Sequence, residues 1–183
     1  MRAHGALVST ATLLAILAGP VDRTNANPQQ WMRWELGNLG LSLELPGEPT
    51  YRRLPLSKPA QQIVEDHMTY QYNSDQVRVA IIYILLKGLT QTDVSKIATI
   101  IGGVAMASLA ADPNISDVRS STEQSGNRVV LKASFKQNGI PKEMDGFIVL
   151  KGRRLWSVVT ARGQSDDLGR ASAQRVLESV KLE

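Results

Sequence analysis

Residues 125–163 read SGNRVVLKASFKQNGIPKEMDGFIVLKGRRLWSVVTARG, in which three turn signals separate apolar-rich runs. The signals are Ser-Gly-Asn at 125–127, Asn-Gly at 138–139 and Lys-Gly-Arg-Arg at 151–154. Because glycine and asparagine accept the backbone angles of tight hairpins, each signal predicts a reversal of the chain. The stretch therefore predicts an antiparallel meander, with strands near 116–124, 128–137, 143–151 and 154–162.

The strand predicted over 128–137 alternates between apolar and polar residues, which is typical of a half-buried strand. The apolar face holds Val129, Leu131, Ala133 and Phe135, and the polar face holds Arg128, Lys132, Ser134 and Lys136. The basic row on the polar face permits two interpretations. It is either a solvated strand face or part of a docking surface.

Working outward, residues 79–86 (VAIIYILL) are apolar on both faces, which predicts a central strand covered on both sides. Residues 41–45 alternate in the same way as the meander and stop at Pro46, which cannot donate to a sheet ladder. The turn-like LGNLG before them predicts a hairpin with a short strand at 34–36. Residues 50–66 show no period and are expected to form a loop with one helical turn.

Two helices are predicted. One runs over 94–111 and is apolar nearly all round, and the other runs over 167–180 after Ser165 or Asp166 as its cap. The buried stripe expected on the second helix is Leu168, Ser172, Ala173, Val176, Leu177 and Val180. Strands, helix, meander and helix in this order predict an α+β sandwich.

Residues 1–26 have the pattern of a secretory signal peptide: a polar start, an apolar run over 6–18 and small residues at 24–26. An uncleaved anchor is the alternative. Residues 27–183 then form a single domain, exported and soluble in the periplasm or outside the cell. The formal net charge is only +4 and is spread along the chain, so we expect no nucleic-acid partner.

Catalytic and cofactor motifs are missing from the sequence. There is no cysteine, and His67 is the only histidine beyond the predicted leader, so neither a metal site nor any other cofactor is expected. The G-x-S-x-G elbow and the glycine-rich phosphate loops are absent as well. We therefore predict a non-enzymatic protein, and the alternative is a hydrolase that uses His67 with nearby carboxylates.

Five basic residues on predicted loops are candidate contacts for a partner: Arg52, Arg53, Lys151, Arg153 and Arg154. The simpler interpretation is that they lie on solvated turns. As a docking patch they would suit an acidic envelope protein, a membrane complex, or the head groups of an anionic membrane.

The predicted helix 94–111 offers a different candidate site. Gly102 and Gly103 leave room beside its backbone, and Met106 lies one turn further along. These three residues could line a pocket for a small ligand or a lipid between the helix and the sheet. A ligand or lipid carrier is thus the alternative to a protein-binding function.

The segments GLSLELPGEP, MTYQY, VRVAIIYILL, LWSVVTA and AQRVLESVKLE together resemble the PsbP-like superfamily, including its exported DcrB-type bacterial members. The resemblance covers about residues 34–182 and is a match of pattern rather than of identical residues. It implies that the α+β fold is an αβα sandwich with a central antiparallel sheet, and it implies a binding or assembly role. It implies no functional residues, and the chain lacks the lipid-attachment cysteine of the DcrB type.

Overall fold

The structure is a computed structural model, and it describes residues 30–53, 56, 58–88, 103, 106, 107 and 109–183. The strands are β1 (Met32–Glu35), β2 (Leu41–Leu45), β3 (Thr50–Arg52), β4 (Val64–Asn73), β5 (Arg78–Leu86), β6 (Ile115–Ser125), β7 (Arg128–Gln137), β8 (Ile140–Lys151), β9 (Arg154–Gly163) and β10 (Lys181–Leu182). The helices are α1 (Lys58–Ile63) and α2 (Asp167–Ser179), with a 3-10 turn at Gly37–Leu39. Within these ranges, no helix is long and apolar enough to cross a membrane.

Seven strands form one antiparallel sheet in the order β3-β4-β5-β9-β8-β7-β6. Its last four strands are the predicted meander, and the three turns lie where the sequence places them. At the second turn, Asn138 and Gly139 have φ angles of 51° and 80°, as a tight two-residue hairpin requires. β5 lies between β4 and β9 and is buried on both faces, which confirms its prediction as a central strand.

A smaller sheet has the order β1-β2-β10. Leu41, Leu43 and Leu45 of β2 point into the core, as their alternation predicts. The indole Nε1 of Trp156, which is fully buried in β9, donates a hydrogen bond of 2.8 Å to the carbonyl oxygen of Leu39. This bond ties the small sheet to the centre of the large one.

The large sheet carries a hydrophobic core on each face. On one face, the small sheet and α2 pack over Tyr83, Phe147 and Trp156. On the other, the helical residues Met106 and Leu109 pack over β5, β7, β8 and β9. Helical and strand layers on both faces of an antiparallel sheet confirm the predicted α+β sandwich.

Helix α2 begins at the predicted cap, where Oδ1 of Asp166 accepts a hydrogen bond of 2.8 Å from the backbone N–H of Gly169. Ser172, Ala173 and Val176 are buried as expected. Leu168 is 67% exposed, so its assignment to the buried stripe is wrong. The stripe instead runs through Gly169, because residues four and seven positions beyond it share its face.

Two further differences concern short elements. Residues 50–66 contain, besides the helical turn α1, the edge strand β3, which pairs with β4. Strand β10 has only two residues and pairs with β2. The predicted leader at 1–26 and most of the predicted helix 94–111 lie outside the described residues. Of that helix, Gly103, Met106, Ala107 and 109–111 are helical.

Candidate functional site

The predicted basic residues come from two distant parts of the chain, and the start of β4 brings them together. Nη2 of Arg53 lies 3.1 Å from Oδ1 of Asp66. Nη2 of Arg153, in the turn between β8 and β9, lies 2.9 Å from Oε2 of Glu65. Both ion pairs lie at the start of β4, where the register shifts between Val64 and Asp66, so they bring the two groups to the same end of the sheet. We call this surface, with the five predicted basic residues, the basic end.

The remaining three basic residues form no salt bridge with any residue that the structure describes. Arg52 lies on the edge strand β3 opposite Thr69, and Lys151 and Arg154 face each other across the β8–β9 turn. All three are exposed. The basic end therefore combines two neutralised arginines with three cations that are available to an anionic partner.

Three comparisons with known proteins bear on the fold. No family model matches the chain, and no curated protein matches it either. Among solved structures, the cyanobacterial PsbP protein (CyanoP) of Synechocystis covers 90% of this chain and 100% of its own, with a TM-score of 0.51 at 12% identity. The fold is PsbP-like.

Two other solved structures are more distant. LpqN of Mycobacterium tuberculosis, described as involved in cell envelope biogenesis, covers 85% of this chain and 92% of its own, with a TM-score of 0.46 at 16% identity. A protein from Bacteroides thetaiotaomicron covers 79% of this chain and 45% of its own, with a TM-score of 0.42 at 14% identity. At such identities the likeness concerns the arrangement of the backbone alone.

His67 lies on β4 of this PsbP-like sheet, opposite Ile84, and is half-buried. The two acids before it are engaged by Arg53 and Arg153, and Oδ1 of Asp66 also accepts a hydrogen bond of 2.8 Å from the backbone N–H of His67. In the described ranges, no group of three or more histidine, aspartate and glutamate residues could hold a metal ion.

The predicted ligand pocket beside helix 94–111 falls only partly within the described residues. Met106 is buried in the core with Leu109. Gly103 is exposed, and no described atom comes within 4 Å of the position that a Cβ would take there. Gly102 lies outside the described residues. A pocket lined by these residues remains a prediction.

A charged cluster lies on the face of the large sheet covered by α2, and it was not predicted from the sequence. Arg162 of β9 is 8% exposed and forms ion pairs with two acids of β8, through Nη1 with Glu143 and through Nη2 with Oδ2 of Asp145 at 3.2 Å. Asp145 lies opposite Thr160, whose hydroxyl donates to its carbonyl oxygen. Counting back from the predicted turn at 151–154 would have placed Glu143 opposite Arg162.

The basic row of β7 borders this cluster. Lys132 lies opposite Asp145 and is exposed, the guanidinium carbon of Arg128 lies 3.9 Å from the centre of the Phe147 ring, and Lys136 pairs with Asp117 at 2.7 Å. The hydrogen bond that Lys136 donates, together with the positive charge of Lys136, holds the pKa of the Asp117 carboxyl below its usual value. In this basic row, the side chain of Lys136 is therefore exposed to solvent, whereas Arg128 and Lys132 border a groove.

Proposed function

We propose that this chain is an exported, non-enzymatic binding or assembly-accessory protein of the bacterial envelope, of the DcrB type within the PsbP-like fold. The predicted leader would direct it to the periplasm or outside the cell. The observation that supports binding is the basic end, where Arg53 and Arg153 join two loops through Glu65 and Asp66. The partner that suits this surface is an acidic segment of an envelope protein.

The physical argument rests on where the cations sit. Arg52 is held by the pairing of β3 with β4, and Arg154 by the pairing of β9 with β5. Backbone positions fixed by a sheet lose little entropy when a partner binds. Charges exposed at such positions accelerate association and select partners of opposite charge, and salt weakens their effect.

The test is capture from an envelope extract by the tagged full chain, followed by affinity measurement with the captured protein. The variant Arg52→Gln/Lys151→Gln/Arg154→Gln removes the three cations without breaking an ion pair. We expect it to bind about tenfold more weakly, since each exposed charge contact contributes about 0.5 kcal/mol. Rising ionic strength should weaken the original protein more than the variant.

The matched control removes the same charge elsewhere. Arg119→Gln/Lys132→Gln/Lys136→Gln changes three cations on β6 and β7, none of which lies at the end of β7 next to the 151–154 turn, and it breaks only the exposed ion pair of Lys136 with Asp117. It should bind the captured protein as the original does. If both triple variants bind equally well, the basic end is not the docking surface. If capture is unspecific and follows net charge alone, both lose affinity alike and the proposal fails.

A further inference from the structure

A groove lies between the exposed edge of α2 and the outer strands β7 and β8. Its volume is about 430 Å³, within the range of small-ligand sites. The lining includes Val130 and Phe147 from the strands and Ala173 and Leu177 from α2, so one wall and the floor are apolar. Phe147 and Ala173 are buried and continuous with the hydrophobic core. The groove therefore offers apolar contact on a rigid base.

Charge is distributed unevenly in this groove. Asp145 in its lining, and Glu143 beside it, are both neutralised by the buried guanidinium of Arg162. Arg128 and Lys132 at the rim form no salt bridge with any residue in the described ranges.

Glu178 of α2 also lines the groove and forms no salt bridge within the described residues, and its Oε1 accepts a hydrogen bond from the side-chain amide of Gln174. The lining nevertheless carries four cations against two acids, and the unpaired acid lies on the helix side, so the strand side around Arg128 and Lys132 attracts anions.

A further observation strengthens this preference. A second hollow of about 430 Å³ adjoins the groove across β7, shares Lys132 and Asp145 with it, and adds Arg119, which also forms no salt bridge within the described part of the chain. The cationic rim thus extends from β7 to β6.

We propose that this groove binds a small amphipathic anion. Its carboxylate or phosphate group would contact Lys132 and Arg128, and its alkyl part would lie on Val130 and Leu177, the lining apolar side chains that are only partly buried. Arg162 is a positioning residue, because it neutralises Glu143 and Asp145 and so leaves the rim cations unopposed. This site is separate from the basic end and does not depend on the function proposed above.

The experiment titrates the full chain with decanoate and with decyl phosphate, both below the concentration at which they form micelles. Calorimetry gives the affinity, and backbone amide shifts in nuclear magnetic resonance locate the site. We expect saturable binding of one anion per chain, with shifts at β7, β8 and α2. Decyltrimethylammonium and decanol are the matched probes, and equal binding of either one would overturn the proposal.

Variants test the assigned roles. Arg128→Gln/Lys132→Gln changes two rim residues and should weaken both anions about tenfold, because hydrogen bonds to charged groups are the stronger ones. Arg162→Met leaves two unpaired acids and should abolish binding. Since that variant could misfold, Glu143→Gln/Asp145→Asn keeps Arg162 and removes the acids, and it should bind the anions more tightly. Unchanged affinity in this variant would remove the role given to Arg162.

A last comparison separates two sources of the same chemistry. Vesicles of phosphatidylglycerol present the anionic group on a membrane, whereas monomeric decyl phosphate presents it free. Binding of the monomer without binding of vesicles supports a free ligand in the groove. Binding of vesicles alone overturns the groove as a small-ligand site. Arg52→Gln/Lys151→Gln/Arg154→Gln should leave decanoate affinity unchanged, so failure of the basic end and failure of the groove are distinguishable.

Discussion

The inner strands β5 and β9 and the outer strand β7 belong to one sheet but differ in what covers them. β5 and β9 are buried on both faces over most of their length, whereas β7 alternates between buried and open positions. On one face all three contribute to the same core beneath the helical residues Met106 and Leu109. On the other face, α2 and the small sheet cover the inner strands and parts of β4 and β8, and the groove lies over β7 and the adjoining part of β8.

Geometry explains why the cover stops there. A helix is about 10 Å wide with its side chains, and neighbouring strands are about 4.8 Å apart. One helix therefore covers about two strands, and α2 packs chiefly on β9 and β2. The inner half of the sheet is thus the more deeply buried part, and the outer half carries the proposed binding surface. Mutations should distinguish the two halves.

The largest expected effect lies in the inner half, at Trp156. Trp156→Ala removes a fully buried ring and the hydrogen bond to Leu39, and it should lower the free energy of unfolding by about 3–5 kcal/mol. Lys132→Ala, on the open face of β7, should change it by about 0.5 kcal/mol or less. Chemical denaturation measures both. Equal losses would contradict the division of the sheet into two halves.

The second effect tests the border between the halves, at Gly146 of β8. A Cβ there would lie 2.6 Å from the carbonyl oxygen of Val158 and 2.9 Å from Cα of Val159. Both are backbone atoms of strand β9, which is hydrogen-bonded to β5 and β8 on its two sides. Moving these atoms would therefore strain the sheet. Gly146→Ala should therefore cost about 1–3 kcal/mol of unfolding free energy.

Gly103 provides the control for that substitution. It is helical and exposed, and no described atom would touch a Cβ there. Gly103→Ala should raise the unfolding free energy by about 1 kcal/mol, the difference in helix propensity between the two residues. Destabilisation at Gly103 would instead indicate close packing beside that helix, which would contradict the predicted ligand pocket.

The sequence predicts the sheet better than it predicts the sites, and β7 shows why. Strand identity follows from a local pattern, such as the alternation from Val129 to Phe135 and the Asn138-Gly139 turn. The alternation also predicts that the apolar face of β7 is buried and that its polar face is open, but it does not say what lies beside the polar face. Elements without a local pattern were missed, since β3 and β10 have three and two residues and exist through pairing with distant strands.

Sites depend on which residues meet, and that requires the register. Arg53 and Arg153 were predicted as contacts, but nothing local to them indicates their pairing with Asp66 and Glu65, because these contacts depend on the order β3-β4-β5-β9 in the sheet. Arg162 differs in this respect. Its hairpin partner Glu143 follows from the turn alone, although its burial beside α2 does not.

A smaller effect concerns the helix that covers the inner half. Asp166→Ala removes the acceptor for the backbone N–H of Gly169 at the start of α2. We expect a loss of about 1 kcal/mol of unfolding free energy. Asp166→Asn keeps an acceptor oxygen and should lose less. A loss as large as that of Trp156→Ala would mean that α2, rather than the central strands, decides stability.

The smallest effect is a pH dependence at Lys142 of β8. Burial, with the nearby charge of Arg78, lowers the pKa of Lys142, and Asp166 offsets part of this. In the unfolded chain the pKa returns to its usual value, so the folded state holds this proton less tightly. The resulting penalty is constant below the folded pKa and fades as the pH rises towards the unfolded pKa, which makes the protein more stable there.

Lys142→Met should therefore raise the unfolding free energy slightly at neutral pH and remove this alkaline gain. Lys142→Arg keeps a charge at all accessible pH values, so it should lose the alkaline gain without the rise at neutral pH. The unfolding free energy is measured as a function of pH for the original protein and for each variant. Subtracting one curve from the other separates the contribution of Lys142 from that of Tyr72, because burial raises the pKa of Tyr72 in both proteins. Parallel curves would mean that Lys142 is fully solvated, and that the outer half of the sheet is open at this end of β8 as well as at the groove.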